Sequence, residues 1–223
     1  GDALRLYNRA FRIIEPKSEA ALQVFSARAY IYRLWGRRQD QLREIRRLRR
    51  TAIEAKDSRW QDLAENCLAR FYIDVGRPTD ALEVLAELAI NAECESVDVV
   101  VESIQLKAEA EHASGNSSAA QETIASGLLH CGTERESLPL RAALLQTEGS
   151  LLSDLGELRK ALSSLAEAWV ITHRLKLHGE EAAILESMGH TSMAMGEVSN
   201  GMNHFRRALT VAQTFEDQVA LGR

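Results

Sequence analysis

Apolar residues recur along this chain at helical spacing, in sets that are phased by glycines. The glycines stand 40, 39, 41 and 40 residues apart, at Gly36, Gly76, Gly115, Gly156 and Gly196. Six, nine and twelve residues after a glycine the side chain is usually apolar, as at Leu42, Ile45 and Leu48. Since these offsets share one face of an α-helix, a helix is predicted after each glycine.

A second helix is predicted before each glycine, where a small residue stands seven positions upstream. This column holds Ala29, Ala69, Ala108, Gly149 and Gly189. Small residues let two helices approach closely, and glycine tolerates the left-handed angles of a tight turn. Each unit is therefore predicted to be helix, turn and helix. Ala3, Tyr7 and Ala10 match second-helix columns, and residues 215–223 resemble the opening of another first helix, so a partial unit is expected at each end.

This pattern resembles the tetratricopeptide repeat (TPR) family. The resemblance rests on four features of the unit: the small residue, an aromatic residue three positions after the small residue, the turn glycine, and an alanine five positions after the glycine. The aromatic residues are Tyr32 and Tyr72, and the alanines are Ala81, Ala120 and Ala161. The usual unit has about 34 residues. The longer unit here is similar to the helical arrays of bacterial signal-transduction ATPases and regulators.

The resemblance implies an all-α fold, a right-handed α-solenoid of about five tandem helix–turn–helix repeats with a partial repeat at each end. No β-branched alternating run argues for strands. We expect residues 1–223 to form a single superhelical domain. Because Gly1 replaces an initiating methionine and the phasing runs past both ends, we also expect a fragment of a longer multidomain protein.

In the first helix of each unit, which precedes the glycine, the positions ten and six residues before the glycine are polar in all five units. The position three residues before the glycine is polar in some units only. In the family that this chain resembles, this face is concave. The candidate partner-binding groove comprises Ser26, Tyr30, Arg33, Asn66, Arg70, Gln105, Glu109, His112, Gln146, Ser150, Glu186 and His190. Either these side chains are merely solvated, or they hydrogen-bond an extended or helical partner segment. In the second case Asn66, Arg70, Gln105, Glu109 and Gln146 should be partly exposed on one continuous surface, with Arg70 gripping a carboxylate.

Charge is distributed unevenly along the chain, which has a formal net charge of −5. Residues 1–60 carry fifteen Lys and Arg against seven Asp and Glu, and the remainder carries twelve against twenty-five. Much of the basic excess is an i, i+3, i+4, i+7 stripe, predicted to point outward on the convex side, at Arg43, Arg46, Arg47 and Arg50. The stripe is either solvated or binds an acidic partner or the acidic half of a second copy. Nucleic acid is the least favoured partner because no aromatic residues interleave with the arginines.

The remaining sequence features exclude several classes of protein. No uncharged apolar stretch is long enough to span a membrane, and the first residues lack the pattern of a signal peptide, so we expect neither feature. Three cysteines without CxxC spacing, Cys67, Cys94 and Cys131, suit reduced thiols in the cytoplasm. No nucleotide-binding, metalloprotease or serine-hydrolase motif occurs, and the histidines lack metal-ligand spacing. We therefore predict no enzyme activity, no catalytic residues, no metal and no cofactor.

Two functions are compatible with such an array. The first is a protein–protein interaction scaffold whose concave groove binds a protein or peptide segment. The alternative is the sensory or autoinhibitory arm of a larger bacterial signalling regulator whose output is an ATPase, kinase, nucleotide cyclase or transcription activator. Self-association or an intramolecular contact with other domains is compatible with either.

Overall fold

The computed structural model describes residues 5–7, 9, 14, 15, 18–90, 97–131 and 137–220, and every regular element within these ranges is helical. Residues 5–7 and 9 are helical. The other helices are α1 (Glu19–Leu34), α2 (Arg38–Ala55), α3 (Ser58–Asp74), α4 (Pro78–Ile90), α5 (Val97–Ala113), α6 (Ser117–Cys131), α7 (Leu138–Asp154), α8 (Leu158–Leu175), α9 (His178–Ala194) and α10 (Val198–Ala220). The predicted all-α class is confirmed.

The phased glycines lie between α1 and α2, α3 and α4, α5 and α6, α7 and α8, and α9 and α10, as predicted. The pairs α1–α2, α3–α4, α7–α8 and α9–α10 pack as helical hairpins. All five glycines have a positive φ, from 67° at Gly36 to 85° at Gly115. A Cβ added at any of them would meet nothing within 4 Å. The left-handed backbone angle, and not crowding, is therefore what requires glycine at these turns.

The apolar columns form the core between the helices. The position nine residues after the glycine is at most 5% exposed for the first four phased glycines, at Ile45, Leu85, Ile124 and Leu165. The small column lies against it: a Cβ built on Gly149 would lie 2.5 Å from Leu165 Cγ, and one on Gly189 would lie 2.6 Å from Phe205 Cε1. The predicted close approach at these two glycines is confirmed.

The chain divides into two compact units, Gly1–Asn116 and Ser117–Arg223. In unit 1, each helix from α1 to α5 packs against the next, and the first helices also contact one another, α1 with α3 and α3 with α5. In unit 2 the same order holds from α6 to α10, with α7 also contacting α9. The sequence predicts that residues 1–223 form a single superhelical domain. That depends on how the two units are arranged, so it stays a prediction.

The two ends of the described chain compare differently with the sequence prediction. Tyr7 is helical, as a second-helix column requires, whereas Ala3 and Ala10 lie outside the described residues. The prediction that residues 215–223 open a new first helix is wrong for residues 215–220, because α10 continues without a turn to Ala220. None of the described helices is both long and apolar enough to cross a membrane.

Candidate partner-binding face

The polar columns of α1, α3 and α5 in unit 1 form what we call the first-helix face. Its predicted members are Ser26, Tyr30, Arg33, Asn66, Arg70, Gln105, Glu109 and His112. α1 contacts α3, and α3 contacts α5. Equivalent polar positions of these helices stand about 40 residues apart in the sequence, and the contacts place them next to one another. The side chains on this face prove to be linked to one another from helix to helix.

Asp74 at the end of α3 joins the first two hairpins. Arg33 on α1 donates to it through Nε at 2.7 Å and Nη2 at 3.4 Å, and Arg38 on α2 donates through Nη1 at 3.1 Å. The two-point contact between Arg33 and Asp74 is the geometry in which a guanidinium binds a carboxylate most strongly. This hydrogen bond is the main reason that the pKa of Arg33 lies above its ordinary value.

Arg70 and Glu109 make the equivalent link between α3 and α5. Arg70 Nη1 lies 2.5 Å from Glu109 Oε2, and the two side chains are 27% and 43% exposed. The negative charge of Glu109 also acts on Arg33 and raises its pKa further. The charged side chains of α1, α3 and α5 therefore form one electrostatic cluster. Arg70 and Glu109 are partly exposed as predicted, but each holds the other as its partner.

Asn66 does not line an open groove, and the prediction that it is partly exposed is wrong. Its side chain is fully buried. Its Nδ2 donates to the Val99 carbonyl at 3.1 Å and to Glu102 Oε2 at 3.3 Å, and its Oδ1 accepts from Ser103 Oγ at 2.8 Å. Asn66 thus bonds α3 to α5 in the interior, where a buried amide needs its partners.

The remaining residues of the first-helix face, on α1 and α5, differ in solvent exposure. Ser26 and Cys67 of α3 are both half-buried. Burial is the main reason that the pKa of the Cys67 thiol is raised to about 12. Tyr30 is 57% exposed, which leaves most of its ring and hydroxyl accessible beside Arg33. On α5, Gln105 and His112 are half-buried. The accessible part of the first-helix face is therefore centred on Tyr30, Arg33, Arg70 and Glu109.

Unit 2 carries the remaining predicted groove residues on α7 and α9. Gln146 is half-buried and Ser150 is exposed. Glu186 and His190 are both well exposed, and Glu186 Oε1 lies 3.8 Å from His190 Nε2. The His190 ring also contacts Phe205 edge-on, with centroids 5.0 Å apart. These residues make a polar surface, but one without the dense ion pairing of unit 1.

The basic stripe lies on α2 and is called the arginine ridge below: Arg43, Arg46, Arg47 and Arg50. Arg43 donates to Asp40 at 2.9 Å and Arg47 to Glu44 at 3.0 Å. Arg46 and Arg50 are exposed, and neither forms an ion pair within the described part of the chain. The ridge borders a shallow surface depression of about 410 Å³ that Gln39 and Leu42 also line.

Sequence reasoning missed Asp74, Asp40 and Glu44, the carboxylates that hold these arginines. Asp74 stands two residues before its turn glycine, a column that the polar pattern did not single out. Asp40 and Glu44 lie three residues before Arg43 and Arg47, and that spacing was a readable ion-pair signal. Among the described residues, no group of three His, Cys, Asp or Glu side chains is arranged to hold a metal ion.

Comparison with known proteins identifies the fold. No protein-family model matches the chain, and no curated protein matches it significantly. Two crystal structures of nearly identical TPR-like repeats, from a kinesin light chain candidate of Podosopora anserina, are similar to it. One, a variant, has a TM-score of 0.55 at 19% identity, covering 92% of this chain and 99% of that one. The other has a TM-score of 0.53 at 18% identity, covering 90% and 98%.

Proposed function

We propose that this chain, whose fold is the α-solenoid of TPR-like repeats, is a protein-interaction module that binds a segment of a partner protein on the first-helix face of unit 1. Folds of this type generally serve as protein-interaction scaffolds. Stacked helical repeats present side chains from successive repeats on one extended surface, which suits the binding of a peptide segment.

The single observation that carries the proposal is the charged cluster that links α1, α3 and α5 and yet stays partly exposed. Arg33, Arg70 and Glu109 are each between about a quarter and a half exposed. Asp74 holds Arg33, and Arg70 and Glu109 hold each other, so less rotamer entropy is lost when a partner binds. A guanidinium has five N–H donors, and Arg70 uses one of them on Glu109.

The charges on this face define the chemistry of the partner segment. Arg70 offers donors to a carboxylate, and Glu109, one repeat later, accepts from a basic side chain. A segment with an acidic residue followed by a basic one would match them in order. Tyr30 adds an exposed aromatic ring with a polar tip, a residue type that is enriched at protein interfaces.

The test separates a binding role from a purely structural one by exchanging the charges. Arg70→Glu alone and Glu109→Arg alone should each lower stability, by up to about 1 kcal/mol for a partly exposed pair. The double exchange Arg70→Glu/Glu109→Arg should restore the stability, because the ion pair is rebuilt with opposite polarity. Partner binding should remain lost in the double exchange.

Binding is measured with peptides selected on the wild-type chain from a phage-displayed random library. The matched control is Arg141→Glu/Glu167→Arg, which exchanges the charges of a 2.9 Å pair in unit 2 with similar exposure. We expect selected peptides to bind the wild type and the control equally, and to bind the Arg70/Glu109 exchange at least about tenfold more weakly, a loss of about 1.4 kcal/mol. Full binding by the stable Arg70/Glu109 exchange would refute the proposal.

A further inference from the structure

The arginine ridge on α2 is a second charged surface, separate from the first-helix face. The Arg43 side chain is 60% exposed and that of Arg47 is 42% exposed, although each has one carboxylate partner. Arg46 and Arg50 are exposed, and no carboxylate in the described residues pairs with them. Two of the four guanidinium groups on one helical face are therefore left with all their donors available.

Apolar surface accompanies these charges. Leu42 is half-buried and lines the depression together with the arginines. Ile53, seven residues after Arg46 and so on nearly the same side of α2, is 60% exposed. A segment lying along the ridge would therefore meet guanidinium groups and the edges of two aliphatic side chains.

The charge distribution around the ridge favours a short ligand. Residues 1–60 carry fifteen basic and seven acidic side chains, but residues 61–116 carry three basic and twelve acidic ones. Both segments belong to unit 1. A long polyanion such as RNA or a membrane surface would extend from the basic hairpin over the acidic ones and be repelled there. A short acidic segment confined to α2 avoids that repulsion.

We propose that the arginine ridge binds a short acidic helical segment of a partner protein. The available arginines Arg46 and Arg50 lie about 6 Å apart along the helix axis, and the whole ridge spans about 10 Å, from a rise of 1.5 Å per residue. Carboxylates at i, i+3, i+4 and i+7 on a second helix have the same spacing. Each can then meet a guanidinium, which binds carboxylates with planar, directional hydrogen bonds.

The experiment uses the full chain and a fluorescein-labelled helical peptide with Glu at i, i+3, i+4 and i+7 and Leu between the turns. Fluorescence anisotropy at low salt should show binding that weakens as salt is raised. Arg46→Glu/Arg50→Glu should reduce the affinity at least about tenfold, equal to about 1.4 kcal/mol. The control Arg174→Glu/Arg206→Glu changes the net charge equally in unit 2, and should leave the affinity within about twofold, or 0.4 kcal/mol. Arg206 is well matched because it stands ten residues after Gly196, as Arg46 stands ten residues after Gly36.

Several outcomes would overturn the proposal. One is no binding at low salt, and another is an equal loss of affinity in the control variant, which would mean that only net charge matters. Equal binding of a peptide with the same composition but scrambled spacing would remove the helical match. Tighter binding of single-stranded RNA or of phosphatidylserine vesicles, lost in Arg46→Glu/Arg50→Glu, would make the ridge a polyanion surface. Circular dichroism confirms that each variant is folded before it is measured.

Discussion

Gly149 is the position where the packing of the array can be tested most sharply. It lies in α7, and the added Cβ of an alanine would stand 2.5 Å from Leu165 Cγ, 2.8 Å from Leu165 Cδ2 and 3.2 Å from the carbonyl oxygen of Ala161. Leu165 is fully buried in the core of unit 2, and Ala161 presents backbone, so neither can simply move aside. Gly149→Ala should therefore be destabilising.

Two opposing effects set the magnitude. Alanine is favoured over glycine by about 1 kcal/mol in a helix interior. Overpacking a well-filled core typically costs about 1–3 kcal/mol, and the pinned environment of Gly149 places it near the upper end. The net loss for Gly149→Ala should be about 1–2 kcal/mol, or roughly 2–8 °C in Tm for a chain of this size. At Gly189 the neighbour is the half-buried ring of Phe205, which can tilt, so Gly189→Ala should be close to neutral.

Urea and thermal unfolding followed by circular dichroism measure both variants. A Leu165→Ala background isolates the contact at Gly149: with the clashing atoms removed, Gly149→Ala should become stabilising through helix propensity. The coupling between the two sites should lie in the range of about 0.5–3 kcal/mol seen for residues in contact. A Gly149→Ala chain as stable as the wild type, with no coupling to Leu165, would refute the predicted close approach of α7 and α8.

Three further predictions follow from burial. Asn66→Ala should cost about 1–3 kcal/mol in urea unfolding because it leaves buried partners unsatisfied, whereas Ser150→Ala, on the exposed part of α7, should stay within about 0.5 kcal/mol. Leu162→Asn should destabilise the chain clearly more than Met202→Asn, the same hairpin position, because Leu162 packs in the core and Met202 is 44% exposed; equal losses would contradict this. Burial raises the pKa of the Cys67 thiol to about 12, so Cys67 should resist iodoacetamide at pH 8 until the chain unfolds, which mass spectrometry can check. The contribution of the Cys67 thiol to the free energy of unfolding should be intact below pH 9 and lost as the pH rises toward 12, which unfolding measurements at each pH can check.

The hairpin architecture could be predicted from the sequence because it depends on short-range patterns. A glycine every 40 residues marks a turn, and Gly36 and Gly115 adopt the left-handed angles that make glycine necessary there. The apolar column nine residues later is buried, as at Ile45 and Leu165, because that spacing places it on the inner face of the second helix. Both signals are local, so no knowledge of distant residues was needed.

The polar columns could not be assigned in the same way, since their role depends on the next repeat. The sequence predicts that Asn66 faces either solvent or a partner, but Ser103 and Glu102, more than thirty residues later, satisfy its amide in the interior. Arg70 and Glu109 were correctly placed on one surface, yet the sequence did not show that they pair with each other. A polar position in stacked helices can bridge repeats or face solvent, and only the opposite side chain decides which.

In α10, the second helix of the last hairpin, the repeat period predicted a helix boundary that the structure does not have. The spacing predicted a new helix from residue 215, although no Gly or Pro occurs between residues 203 and 221 to end the previous one. Without a residue that breaks the helix, α10 continues to Ala220. The absence of a helix-breaking residue therefore predicted the end of α10 better than the repeat period did.

Photo-crosslinking tests the central claim, that the first-helix face of unit 1 binds the partner segment, most directly. Benzoylphenylalanine replaces Tyr30, which is 57% exposed beside Arg33, and in a control chain it replaces Leu129, which is 84% exposed on α6 of unit 2. Each chain is irradiated with a peptide selected from the library, and the products are mapped by mass spectrometry. The proposal predicts a crosslink from position 30 that excess unlabelled peptide abolishes, and none from position 129. A specific crosslink from position 129, with none from position 30, would contradict it.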